Sequence, residues 1–262
     1  MKLRTYGRPP YTVAVVHGGP GAPGEMAPVA WALSTYAGIL EPLQTAATLD
    51  GQVQELAEVL IEHAEPPVTL IGHSWGAILG FITAARYPGL VGKLILVGSA
   101  PFEERYAGAI MATRLLRLSD GERSEALALA EKFSDPAIEQ NGKAFARFGE
   151  LMAAADACDP LPHDDEVLEY QPAINRSVWE EARSLRSSGE LLALGKNIRC
   201  PVIAIHGDHD PHPAAGVREP LSRVLADFRF ILLDACGHAP WHERRARDAF
   251  FAILEREIRR SL

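Results

Sequence analysis

"VTLIGHSWGAILG", residues 68–80, decides how the rest of the chain is read. Its opening six residues have the length and apolar character of a buried strand. The part after Ser74 is apolar on nearly every side, as a helix packed against a sheet must be. Ser74 stands at the junction, with Gly72 and Gly76 two positions away on either side. A serine placed where a strand hands over to a helix sits on a very tight turn with its hydroxyl raised above the sheet. Such a turn has no room for a Cβ at either glycine, and small Ala77 and Gly80 let the helix approach the sheet. The competing reading is a close-packed turn with an incidental serine. The rest of the chain separates the two, because acyl transfer also needs an oxyanion site, a base and an orienting acid.

Further short apolar runs predict strands at 11–19, 93–99, 201–207 and 228–235, with a weaker one at 38–46 interrupted by Pro42. Near-continuous apolar strands are those buried on both faces of a parallel sheet. Between them, "GQVQELAEVLIEH" (51–63) predicts an amphipathic helix with Val53, Leu56, Ala57, Leu60 and Ile61 on its buried face and Asp50 as N-cap. The last helix is expected from about His242 to Arg259. Strands alternating with helices in this way imply an open, mostly parallel α/β sheet flanked by helices.

Residues 102–197 break the alternation. They contain helical patterns such as "SEALALAEKF" and "VWEEARSLRSSGELLAL" joined by Pro-rich loops, and no convincing strand. The segment holds 18 acids and 11 bases, a net −7 of the chain's −8. It is expected to be a helical cap over the C-terminal edge of the sheet, where open α/β sheets bind ligands. The core is then residues 1–101 and 198–262. At 262 residues such a chain buries a large core without staples. The three cysteines are dispersed and odd in number, as reduced thiols are, and no hydrophobic signal region follows the basic N-terminus. The expected location is the cytoplasm. No run has membrane-spanning length, and the net charge of −8 argues against nucleic acid. The expected partner is a small molecule or short peptide.

The remaining parts of an acyl-transfer site each follow a strand. "HGGPG" (17–21) follows the first strong one, and Gly19 N–H with Trp75 N–H forms the natural pair of oxyanion donors. The loop has neither P-loop nor dinucleotide spacing, and His17 reads as its anchor. "AIHGDHDP" (204–211) offers Asp208 and Asp210 as the acid, with Pro211 holding Asp210 extended. "DACGHAPW" (234–241) offers His238 as the base. The order Ser74, Asp210, His238 matches one known triad scaffold. His206, His209 and His212 with Asp208 and Asp210 raise a metal reading, but the loop spacing is not that of a zinc-binding helix, so no metal and no cofactor is expected. Cys236 lacks a cradle like that of Ser74 and reads as a buried structural thiol.

These residues resemble the α/β-hydrolase superfamily over nearly the whole chain. The resemblance implies Ser74 as nucleophile, His238 as general base and acid, and Asp210, by the His-Gly-x-x-Asp pattern, as orienter. "HGGPG" with "SWG" is similar to the proline iminopeptidase branch, from which the chain departs at His73 and in its short N-terminal strand region. That branch implies cap acids binding a free α-amine. "DACDPLPHDDEVLE" (156–169), with Asp164, Asp165 and Glu166, and "WEEAR" (179–183), with Glu180, could supply them, or could simply form a solvated surface. His73 is a further candidate for substrate contact. The expected activity is hydrolysis of a small ester or amide through an acyl-enzyme. A carboxylesterase, lactonase or C–C bond hydrolase, a lyase or perhydrolase, and a small-molecule receptor on a hydrolase scaffold are the alternatives.

Overall fold

Strand-forming runs become strands wherever the sequence predicts them, and a further strand precedes them. The computed structural model describes residues 2–21, 23–134, 142–163, 168 and 171–260. In chain order these form β1 (Lys2–Tyr6), β2 (Tyr11–Val16), α1 (Ala27–Leu33), β3 (Gly38–Leu43), α2 (Leu49–His63), β4 (Val68–His73), α3 (Trp75–Arg86) and β5 (Val91–Val97). Then come α4 (Ile110–Arg117), α5 (Asp120–Ser134), α6 (Gly142–Asp156), α7 (Pro172–Ser188) and α8 (Glu190–Ala193). The chain ends with β6 (Val202–Gly207), α9 (Ala215–Val224), β7 (Phe228–Leu233) and α10 (Arg247–Arg259). Among the described residues the sheet has seven strands in the order β1-β3-β2-β4-β5-β6-β7. Only β1 runs antiparallel to its neighbour; the other pairings are parallel.

Both faces of the central strands are buried, and alternate residues serve different layers. Ala14, Val16, Leu70, Leu94, Leu96 and Ala204 face a core shared with α2, α3 and α9. Val13, Val15, Ile71, Ile95, Val97, Ile203 and Ile205 face one shared with α1 and α10. Every residue of α3 from Trp75 to Ala85 is buried, which explains why its sequence shows no polar face. Pro42 is tolerated in β3 because pairing with β2 ends at Leu40, so its missing N–H interrupts no bond to that neighbour.

Four local expectations are corrected. Thr48, not Asp50, caps α2: its side chain accepts the Gly51 N–H, while Asp50 lies in the first turn and pairs with Arg86 at 2.6 Å. Ile61 points outward at 61% exposure, and Gln52 takes a place on the buried face, its amide bonded to Trp75 Nε1 and Ala46 O. The "VWEEARSLRSSGELLAL" run is two helices, broken where Gly189 adopts φ +81°. The final helix begins at Arg247 rather than His242. Glu243 is extended, and its buried carboxylate accepts the N–H groups of Cys158, Asp159 and Gly237, which holds the chain out of helix there.

Between β5 and β6 the described residues form helices and no strand. They do not pack as one body. The α4–α6 segment has its own apolar cluster, including Leu118, Ala126, Leu129, Leu151 and Met152. By contrast, α7 contributes Val178 and Ala182 to the α2/α3 side of the main core. Among the described residues no helix is long and apolar enough to cross a membrane.

Candidate active site

Parallel strands deliver their C-terminal ends to one edge, and five of them lead into residues of the candidate site. His17 to Gly19 leave β2, Ser74 leaves β4, Gly98 leaves β5, Asp210 follows β6 and His238 follows β7.

Ser74 is the single residue between β4 and α3 and adopts φ +52°, ψ −112°. A non-glycine residue held there stores about 1–3 kcal/mol of strain, which the surrounding structure must impose. The elbow is enforced by contact. A Cβ on Gly72 would lie 2.1 Å from Gly76 O, and one on Gly76 would lie 2.2 Å from Val16 O. Ser74 N–H donates to Val97 O at 2.9 Å, tying the turn to β5.

Asp210 carries the histidines. His238 Nδ1–H donates to its Oδ2 at 2.8 Å, and its other oxygen accepts the His212 N–H at 2.9 Å and His212 Nδ1–H at 2.8 Å. The two imidazoles stack 4.5 Å apart. Burial pushes the Asp210 carboxyl up, but the three neighbouring histidines and its hydrogen bonds outweigh it and hold the group well below the usual carboxylate range. Burial lowers His238, yet the Asp210 charge and hydrogen bond leave it raised overall. For His212 burial wins, and its imidazole is pushed down to about 4. Asp208 faces elsewhere and accepts the Cys236 N–H at 3.0 Å. Among the described residues Asp210, His212 and His238 are the one group whose ligand atoms converge, within 4.8 Å, as a metal site would require. The 2.8 Å contacts from His212 Nδ1 and His238 Nδ1 to the Asp210 carboxylate are hydrogen-bond lengths. Cys236 is fully buried, and burial pushes its thiol up.

Gly98, at φ +51°, lets β5 end directly beneath this pair: a Cβ there would lie 2.7 Å from His238 O and 3.3 Å from Asp210 Oδ2. His238 N–H donates to Asp156 O at 3.0 Å. The Asp156 side chain is itself buried in a two-pronged pair with Arg114, at 2.7 and 2.6 Å. The C-terminal residue of α6 thus fixes the backbone of the histidine.

The "HGGPG" loop is anchored at each end. His17 is buried, with Nδ1–H on Gly18 O at 2.7 Å and Nε2 accepting the Gln44 N–H at 3.3 Å. That pattern makes it the neutral tautomer, and burial lowers its pKa. From α7, Asn175 Nδ2–H donates to Pro20 O and Gln171 N–H to Gly21 O, both at 2.8 Å. Gly18 N–H is taken by Glu25 Oε1 at 2.5 Å. Gly19 N–H and Trp75 N–H have no acceptor among the described residues.

The candidate substrate contacts fare differently. His73 is 3% exposed, and both ring nitrogens are engaged, Nδ1 with Glu25 Oε1 at 2.6 Å and Nε2 with His238 O at 3.1 Å. It braces the interior, and neither nitrogen is left for a ligand. Glu180 is exposed on α7, while its neighbour Glu181 accepts the Leu49 N–H at the start of α2. Of the acids in 156–169, Asp156 is paired with Arg114 and Asp159 lies 3.5 Å from Arg244; Asp164, Asp165 and Glu166 lie outside the described residues. Glu25, Arg114 and Glu243 are residues that sequence reasoning missed, and Asp156, read there as part of an acidic stretch, acts instead on the His238 backbone and Arg114. None belongs to a motif, and each acts through a partner distant in the chain.

The sequence profile of the alpha/beta hydrolase family matches residues 4–253, and the chain belongs to that family. Among relatives, it is 26% identical over 202 residues to the pimeloyl-(acyl-carrier protein) methyl ester esterase of Chromobacterium violaceum, covering 72% of this chain and 70% of that one. Two solved structures share the fold. VinJ superposes with a TM-score of 0.67 at 17% identity, covering 99% of this chain and 95% of its own. The proline iminopeptidase of Mycobacterium smegmatis gives 0.61 at 18% identity, covering 98% and 94%.

Proposed function

We propose that this hydrolase cleaves a small carboxylic ester through an acyl-enzyme on Ser74. The observation that carries the reading is the strained Ser74 elbow at the same sheet edge as the His238–Asp210 pair. In this mechanism His238 Nε2 takes the Ser74 proton as Oγ attacks the carbonyl. Asp210 holds the Nδ1 proton in place and stabilises the imidazolium that forms. Gly19 and Trp75 N–H receive the oxyanion, each donor worth roughly a hundredfold to a thousandfold in rate. His238 then returns the proton to the leaving alcohol, and water, activated by the same imidazole, releases the acid. Residues 102–197 act as the cap over this edge, and its α7 end supports the oxyanion loop through Asn175 and Gln171.

The esterase relative supports an ester over an amide, as does the engagement of Asp156 and Asp159 with arginines rather than toward a ligand. An aminopeptidase-like activity is the second reading, favoured by the "HGGPG" loop and by the concentration of negative charge in 102–197. Short acyl p-nitrophenyl esters and prolyl or alanyl p-nitroanilides separate the two. The ester reading expects many turnovers per molecule on the esters and far lower kcat/KM on the anilides. Efficient anilide cleavage would transfer the assignment to the second reading. Stoichiometric binding without turnover of either would instead indicate a receptor.

A further inference from the structure

A second acid–histidine pair lies behind the nucleophile, and neither the family comparison nor the mechanism above uses it. His73 directly precedes Ser74, and Glu25 lies in the loop before α1. His73 Nδ1 meets Glu25 Oε1 at 2.6 Å, and Nε2 meets the His238 carbonyl oxygen at 3.1 Å. A backbone carbonyl only accepts, and an ionised carboxylate only accepts. Beside an ionised Glu25 both nitrogens face acceptors, an arrangement that is satisfied when both donate. Glu25 is suited to the ionised form: the same oxygen also accepts the Gly18 N–H. Burial pushes the Glu25 carboxyl up, but the His73 charge and these hydrogen bonds hold it at about 2.

We infer that His73 is a buried imidazolium whose charge cancels that of Glu25 beside the oxyanion site, so that the pair can hold the 17–25 loop without opposing the chemistry. Glu25 binds Gly18, next to the Gly19 N–H assigned to the oxyanion. An uncompensated carboxylate there would repel the negative charge that forms in the transition state. The other ionisable groups around His73 are His238, whose ring lies 4.7 Å away, Asp210 beyond it, and His17 on the far side of Gly18. Trp241 closes the remaining side with an edge contact at 4.7 Å. With Glu25 and Asp210 ionised and His73 charged, the resting site carries one net negative charge, and proton transfer from Ser74 to His238 leaves that total unchanged as the oxyanion develops. Without the proton on His73 the site would begin with two. His73 is in this sense a positioning residue that acts through the loop and through the local field.

The inference rests on the serine reading for its kinetic consequence but not for its charge state, so two measurements separate the failures. Imidazole nitrogen NMR of the wild-type protein at neutral pH should show both His73 nitrogens protonated. A single unprotonated His73 nitrogen would overturn the inference whatever the enzyme's activity. On p-nitrophenyl acetate, His73→Gln leaves Glu25 uncompensated and should lower kcat about a hundredfold with KM changed little. Adding Glu25→Gln should restore about tenfold of that loss, because the uncancelled charge is gone. A double variant no faster than His73→Gln alone would show a purely structural brace and contradict the inference.

Discussion

His212 and His238 stack 4.5 Å apart and share one carboxylate, each giving its Nδ1 proton to a different oxygen of Asp210 at 2.8 Å. Asp210 is therefore fixed from both sides, and the acid of the proposed triad is held by more than its catalytic partner. Asp210→Asn should lower kcat by about ten-thousandfold, as loss of a triad acid does. Asp208→Asn keeps an oxygen able to accept the Cys236 N–H and removes the charge, so it should leave kcat within a few-fold, on the order of an ordinary hydrogen-bond change. Steady-state kinetics of the two variants on one ester test the assignment, and the reverse ranking would move the acid to Asp208.

The pH profile follows from His238. A general base must be neutral, and the Asp210 charge raises the pKa of this one despite burial, so kcat/KM should rise with pH with a midpoint above about 6.5. His212, pushed down to about 4, stays neutral throughout that range. In His212→Phe the ring stack is kept but a donor to Asp210 is lost. The carboxylate then holds the His238 proton more strongly, and the midpoint should move further up. A downward movement would mean that His212 does not act through Asp210.

Arg114 and Asp156 form a buried two-pronged pair beneath the backbone of His238. Arg114→Met leaves the carboxylate buried and alone, which should cost about 3–5 kcal/mol. Arg114→Met with Asp156→Leu should recover most of that loss, because no unpaired charge remains. Urea unfolding of the single and double variants measures both.

Glu25 links stability to acid. Its carboxyl is held at about 2 against an ordinary 4.5, so the ionised form is favoured by folding. That contribution, about 3 kcal/mol at most, is fully present above the ordinary value and is lost as pH falls toward 2. Glu25→Gln should therefore flatten the fall in urea midpoint between pH 5 and 2, a range taken from those two values. An unchanged acid limb would show that Glu25 is not the group protonated there.

The strands and Ser74 were legible because their signals are local: apolar runs of strand length, and a glycine–serine–glycine spacing that admits few conformations. Asp210 was distinguished from Asp208 by the family pattern; Asp210 accepts the His238 Nδ1–H, whereas Asp208 turns to the Cys236 backbone. The role of His73 was not legible. Its partners lie 48 and 165 residues away, and nothing in "GHS" signals a glutamate in the preceding loop. Glu243 likewise gathers N–H groups from Cys158, Asp159 and Gly237, a pattern visible only once the chain has folded back on itself. Helix boundaries failed for the same reason: the start of α10 is set by what Glu243 binds rather than by local propensity.

The central claim is that Ser74 is the nucleophile. Treatment with a fluorophosphonate followed by peptide mass spectrometry tests it most directly. The account predicts a single covalent adduct on Ser74, lost in Ser74→Ala together with ester turnover. An unlabelled wild type, or a Ser74→Ala variant that still hydrolyses ester at the wild-type rate, would contradict it.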